Sequence, residues 1–265
     1  MSKLHIYCVT NKRLPFLEES SYKLCSVGKE FLHDRYLNSN YLKNIFEKEK
    51  YYSELTFHYW YWKNLMDINS DDWIGFCQKR RFWIKKDSAN IEINKNNLLQ
   101  HMLVNEDSSW DNYEAIICNP IKVSGVKKIK IIKRGWRNII KNPNIFFDEK
   151  KQTIKFHFDM HHGYNNLDKA IDLIKKRDRD NFRQYVNSEC QYNPHIMVIS
   201  KPKILNRWFE DLFEWLLKCE EIFGFKDLKG YDTQRIYAYL AERYLSYWFR
   251  NNSNFLEWPW AFVDD

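Results

Sequence analysis

The sequence predicts an α/β fold, a mixed sheet flanked by helices with a helical C-terminal part. Three observations predict it. A β-rich segment, Leu4 to Thr10, opens the chain and ends in a polar turn at Asn11 to Arg13. A helix–loop–strand unit follows between Ser53 and Cys77 and ends abruptly in Gln78-Lys79-Arg80-Arg81. The last hundred residues carry long stretches of helical periodicity. In such folds ligands sit beyond the carboxyl ends of strands, which makes both polar strand ends places to look.

The elements are read in order. Leu4–Thr10 is a buried first strand. Residues 53–65 form a helix with Ser53 as its cap and Glu54 in the first turn, where the macrodipole favours an acid. Its centre, Tyr59-Trp60-Tyr61-Trp62, puts aromatic rings on every side, so some are core and one or two are free to stack on a sugar or base. Asp67, Asp71 and Asp72 mark the loop before the strand Trp73–Cys77. Ile154 to His161 alternates, with Ile154, Phe156, Phe158 and Met160 on one face and Lys155, His157, Asp159 and His161 on the other, and reads as a strand. Helices follow at about 166–176, at 202–223 and from an Asp232 cap to Arg250. The tail from Glu257 to Val263 is too aromatic for free coil and is expected to pack back.

Composition excludes several classes. With 44% hydrophobic and 29% charged residues, the chain is not disordered. No apolar run reaches membrane-spanning length, and the first residues lack a signal-peptide core, so a cytoplasmic protein is expected. The six cysteines form no C-x-x-C pair, which argues against a zinc ribbon or disulfide framework. There is no G-x-G-x-x-G and no P-loop. The 42 basic and 35 acidic residues give a net charge of +7, suited to a polyanion, a nucleotide or an anionic surface.

Three groups of residues suggest chemistry. Lys79, Arg80 and Arg81 can grip a diphosphate, or stand as a solvated edge or in salt bridges to Asp71 and Asp72. Asp159, His161 and His162, with His157, offer a general base, and a metal site is the weaker reading. The basic stretch 127–141, with Ile and Trp interleaved, suits nucleic acid, an anionic membrane or plain solvation.

The motifs Tyr52-Ser53-Glu54-Leu55-Thr56, Tyr59-Trp60-Tyr61-Trp62-Lys63-Asn64 and Ile74 to Phe82 resemble a bacterial family of unknown-function domains, glycosyltransferases of capsular and cell-surface polysaccharide clusters. The later half is similar too: His161-His162 before a helix, Pro194 to Lys201 followed by Trp208 to Leu216, and Ala241-Glu242-Arg243 to Trp248. The resemblance implies one GT-A-like domain over 1–265, a nucleotide-sugar donor, and a glycan or lipid-linked acceptor. Thr10, Asn11, Lys12, Glu54, Lys63, Lys79, Arg80 and Arg81 are then expected on the donor side. His195, Glu242 and Arg243 are expected on the acceptor side, with the base among Asp159, His161 and His162. The chain departs from the family where H-Y-R-R reads Gln78-Lys79-Arg80-Arg81, where the acid after the His pair becomes Asn165, Asn166 or Asp168, and where an Asn becomes His195. The basic segment at about 120–155 is longer than the family norm.

With arginines where many such folds carry a metal-binding Asp-x-Asp, transfer without a metal cofactor is expected, manganese or magnesium being the alternative. Peripheral contact with the inner membrane is a further expectation. A non-enzymatic glycan- or membrane-binding module is the alternative function, and nucleic-acid binding is suggested by charge alone.

Overall fold

The computed structural model describes residues 3–264. In chain order the strands are β1 (Leu4–Thr10), β2 (Lys23–Ser26), β3 (Leu37–Asn38), β4 (Trp73–Gln78), β5 (Arg81–Trp83), β6 (Ala115–Cys118), β7 (Ile121–Lys122), β8 (Gln191–Tyr192), β9 (Val198–Ser200), β10 (Phe255–Trp258) and β11 (Trp260–Phe262). The helices are α1 (Glu49–Tyr52), α2 (Leu55–Asn64), α3 (Leu98–His101), α4 (Lys128–Lys141), α5 (Ile154–His162), α6 (Asn166–Ile171), α7 (Lys176–Ser188), α8 (Pro202–Phe223), α9 (Tyr231–Gln234) and α10 (Ile236–Asn252). The chain divides into two compact units, one of residues 1–119, 195–211 and 249–265, the other of 120–194 and 212–248.

The first unit holds a nine-stranded mixed sheet. Its main order is β10-β6-β9-β4-β1-β2-β3, with β5 added to β4 and β11 to β5. The strands from β4 to β3 run parallel, and β9 runs antiparallel between β4 and β6. β1 is the buried first strand expected from its sequence, with Ile6, Tyr7, Cys8, Val9 and Thr10 all buried. It pairs on one side with β2 and on the other with β4, in register Ile6 to Gly75 and Cys8 to Cys77. Gly75 is required by this crowding. A Cβ there would lie 2.9 Å from Cγ1 of Ile199 and 3.1 Å from Cγ1 of Ile6. The aromatic helix α2 covers the sheet through Phe57 and Tyr61, whose rings meet Tyr7 on β1. The tail packs back as expected, with β10 parallel to β6.

Ser53 does not cap α2. It sits at φ +53°, closes α1, and its carbonyl accepts from the Thr56 amide at 3.2 Å. Glu54 stands at the N-terminal boundary instead.

The second unit is helical apart from the β7–β8 pair. The strand expected at 154–161 is the helix α5, and the reason is burial on two sides. At about 100° per residue, Ile154 and Phe158 share one face while Phe156 and Met160 share the opposite one. Phe156 and Met160 pack with Ile131 and Ile145. Alternation therefore marks a helix held between neighbours. Thr153 caps it, accepting from the Phe156 amide, and Gly163 at φ +98° ends it. α4 approaches α5 at Gly135, where a Cβ would lie 2.8 Å from Phe156.

The helix expected at 166–176 stops at Ile171, and α7 begins at Lys176. The 202–223 helix is found at those bounds. Asp232 lies inside the short α9, so the last helix starts later, at Ile236.

Candidate functional site

In the first unit the strand order turns between β1 and β4, since β2 and β3 continue to one side and β9 and β6 to the other. The crevice beyond such strand ends is where open α/β sheets bind ligands. Thr10 ends β1 buried, its hydroxyl donating to the Lys12 carbonyl at 2.6 Å and accepting from the Lys12 amide at 3.0 Å. That turn sets Asn11 facing the end of β4, where its side-chain oxygen accepts from Lys79 Nζ at 2.8 Å.

Gln78, the last residue of β4, donates to Glu54 Oε1 and accepts from Arg81 Nη1 at 3.3 Å. Arg81 Nε donates to His195 Nε2 at 3.0 Å. An arginine only donates, so that imidazole nitrogen carries its lone pair toward Arg81. His195 holds this position at φ +63°, a left-handed backbone that non-glycine residues adopt at some cost, and its ring stands edge-on to Trp260.

Arg80 and Arg81 both lie near the Phe262 ring, 5.4 and 5.6 Å from its centroid. Arg80 also pairs with Asp264 at 3.2 Å, and its Nε is buried without a hydrogen-bond partner. The strand ends thus gather Asn11, Glu54, Lys79, Arg80, Arg81 and His195, of which His195 was expected on the acceptor side. Lys63 is not among them. It lies in the last turn of α2, its ammonium 2.9 Å from the Trp62 ring centroid. The salt bridges to Asp71 and Asp72 do not form: Asp72 instead receives the Lys3 amide and His5, and the Asp71 carbonyl receives Lys201 Nζ.

The second unit gathers a different set. Arg243, 1% exposed, pairs closely with Glu242, donates to His157 Nδ1 at 3.3 Å and to His162 Nε2 at 3.4 Å, and faces the Tyr192 ring. Its Nε is buried without a partner. The Tyr192 hydroxyl donates to Glu242 at 3.4 Å. His162 stacks on Tyr239 at 3.8 Å and donates from Nδ1 to the Asp232 carbonyl at 2.7 Å. Both of its nitrogens are therefore engaged. Burial, then the charge of Arg243, pulls His157 and His162 each down to about 2.

His161 is half-buried. Its Nδ1 accepts from Arg134 at 3.1 Å, and Arg134 also pairs with Asp232 at 3.0 Å. Burial, then Lys130 and Arg134, pulls His161 down to about 4. Asp159 stands apart from these histidines. Its side chain is fully buried and accepts from Lys155 and Asn138 at 2.8 Å each and from the Asn165 amide at 3.0 Å. Asp168 shares Lys155 at 2.9 Å. Burial opposes the Lys155 charge, but the two carboxylates hold its pKa above the ordinary lysine value.

Helical spacing explains this separation. A strand would have set His157, Asp159 and His161 side by side. A helix sets His157 and His161 one turn apart, with rings 4.7 Å apart, and turns Asp159 away. Among the described residues no group of three His, Cys, Asp or Glu side chains is placed to hold a metal ion. Among the described residues no helix is long and apolar enough to cross a membrane.

Sequence reasoning did not single out Gln78, Phe262, Asp264 or Arg134 for the site. For Phe262 a signal existed, the aromatic tail. Gln78 lay within the polar strand end already marked, while Asp264 and Arg134 are recognisable only by partners far along the chain.

The fold matches a solved structure described as the WbbM bifunctional glycosyltransferase, apo structure, with a TM-score of 0.71 at 18% identity. The match covers 100% of this chain and 46% of that one, so the chain spans about half the length of the protein it resembles. No curated protein matches the sequence. The family described as "Domain of unknown function (DUF4422)" matches residues 5–253. The chain, from β1 to the end of α10, belongs to that family.

Proposed function

We propose that this chain is a glycosyltransferase that uses a nucleotide-sugar donor, with a GT-A-like arrangement of its first unit. The observation that carries the reading is the gathering of Lys79, Arg80 and Arg81 where the strand order turns beside β1. The fold shared with a glycosyltransferase supports it. In such a reaction the bond from the anomeric carbon to the phosphate oxygen breaks, a bond to the acceptor oxygen forms, and the nucleoside diphosphate leaves with the added charge. Arg80 and Arg81 meet that charge, and Lys79 and Asn11 flank it. Arg81 spends two of its five N–H donors on His195 and Gln78, so a fork remains for phosphate. Preorganised cations of this kind are worth several kcal/mol in a transition state, on the order of what a bound metal supplies. The reading therefore includes transfer without a metal cofactor.

The acceptor is a glycan or lipid-linked glycan of surface-polysaccharide assembly, as the family resemblance implies. For an inverting reaction the acceptor's proton needs a base, which the family resemblance implies among Asp159, His161 and His162. Asp159 is neutralised by Lys155, and His162 has both nitrogens engaged. His161 keeps the role, taking the proton at Nδ1 when Arg134 turns wholly to Asp232. Arg243, paired with Glu242, donates to His157 and His162 in the same unit, and the resemblance implies Glu242 and Arg243 on the acceptor side.

The test is binding of UDP, GDP, CDP and CMP, each in EDTA and in manganese, followed by thermal shift. One nucleotide should stabilise the protein equally in both. Arg81→Ala should weaken that binding about 10- to 100-fold, the worth of a hydrogen bond to a charged group. A shift seen only with manganese would discard the arginine clamp. No shift with any nucleotide would favour a non-enzymatic glycan-binding module. His161→Ala should lower turnover by about 100-fold, and near-normal turnover would reject it as the base.

A further inference from the structure

We infer that α4 is a membrane-surface helix that docks the protein on anionic phospholipid. The inference is independent of the proposed transfer reaction. It starts from an exposed apolar stripe. Ile129 is 69% exposed, Ile132 55%, Trp136 51% and Ile140 72%. At about 100° per residue these four side chains fall within an arc of about 80° and run about 16 Å along the helix axis. The helix already has its own packing face, with Ile131 buried and Gly135 closed against Phe156. The exposed stripe is therefore a second apolar face, which the fold of this unit does not require.

The edges of the stripe identify the partner. Lys133, Arg137, Lys130 and Lys141 follow one border within the next ~100° of arc, and Lys128 stands on the other. Residues 127–141 contain seven basic side chains and no acidic one. The Arg137 guanidinium lies 5.3 Å from the Trp136 ring centroid, so cation and indole occupy one level, as they do at a lipid headgroup boundary. An apolar stripe bordered only by cations matches a surface that is apolar beneath and anionic on top. A nucleic acid would use the cations and leave three isoleucines in water, whereas a bilayer uses both.

The experiment is co-sedimentation of the full chain with vesicles of 30% phosphatidylglycerol in phosphatidylcholine, against phosphatidylcholine alone. Binding should require the anionic lipid and weaken with salt. Ile129→Ser with Ile140→Ser should abolish it. Each basic side chain near the surface is worth about fivefold, so Lys133→Glu with Arg137→Glu should cost roughly 25-fold or more. All four positions are exposed, so the melting temperature should stay at the wild-type value. Quenching by brominated lipid should fall in Trp136→Phe, which reports the insertion directly. Equal binding to both vesicle types, no binding, or binding that survives both double variants overturns the proposal. Salt-sensitive capture by single-stranded RNA without vesicle binding also overturns it, in favour of nucleic acid.

Discussion

Lowering the pH from 7 to 5 should destabilise this protein by several kcal/mol, and buried histidines are the cause. His58 is 1% exposed, its ring 4.3 Å from Phe76, and its Nδ1 has no hydrogen-bond partner. Burial alone pulls it down to about 3. His157 and His162 are held at about 2 by burial and then by Arg243. The sign follows from proton counting. Below pH 6.5 the unfolded chain protonates these rings and the folded chain does not, so stability falls as pH falls through 6.5. Each ring contributes about 2 kcal/mol of loss between pH 7 and 5, and the three together roughly 6 kcal/mol. That is a large part of a typical folding free energy of about 5–15 kcal/mol. His161 adds to the loss in the same direction but is half-exposed and left out of the sum. Carboxylates do not confuse the window. Glu18, held at about 2 chiefly by its hydrogen bond from Arg13, and the lowered Asp72 and Asp107, lose their contribution only below the ordinary carboxylate range. The assay is urea unfolding at pH 7, 6 and 5, read by fluorescence and by circular dichroism. His58→Leu should remove about 2 kcal/mol from the difference between pH 7 and pH 5, whatever it does to stability at either pH. A total loss under about 1 kcal/mol, or a difference unchanged in His58→Leu, would refute the reasoning.

Two further substitutions test the packing. Gly75→Ala should destabilise the sheet by about 1–3 kcal/mol, because Ile6 and Ile199 leave no room for a methyl group, and a midpoint equal to wild type would contradict the crowding. Asp159→Asn should cost about 1.5–3 kcal/mol, since it removes one of the two carboxylates that share Lys155 and leaves Asp168 as the other, and an unchanged urea midpoint would show that the pair is not structural.

The parts of the fold that were legible in the sequence are those with one buried face or none exposed. Leu4–Thr10 carries the unbroken run Ile6-Tyr7-Cys8-Val9 because that part of β1 is buried, and Pro202–Phe223 keeps a helical period along its whole length. Ile154–His162 mimics a strand in sequence because a helix buried on opposite sides shows a period of two. Its true signals, a Thr153 cap and Gly163 as a stop, were both present in the sequence. The strand-end cluster was legible as a run of cations, but not its geometry. Arg81 meets His195 across 114 positions, and Arg80 meets Asp264 across 184, distances over which local pattern carries no information. Ser53 shows the opposite failure, where a good capping residue is diverted by a left-handed backbone.

The two clusters keep charge in different ways, and this bears on chemistry. The strand-end cluster relies on guanidinium groups, planar forks anchored by His195, Gln78 and Asp264. The second unit sets a guanidinium, Arg243, among imidazoles and pairs it with Glu242. A proton added to His157 or His162 would meet Arg243 at hydrogen-bond distance in a desolvated site, so the histidines act there as neutral acceptors that hold the arginine's direction. Arg243→Lys keeps the charge but cannot reach both imidazoles as a planar fork does. The geometry of this cluster is therefore one of fixed orientation, with two imidazoles and Glu242 setting the direction of the Arg243 guanidinium.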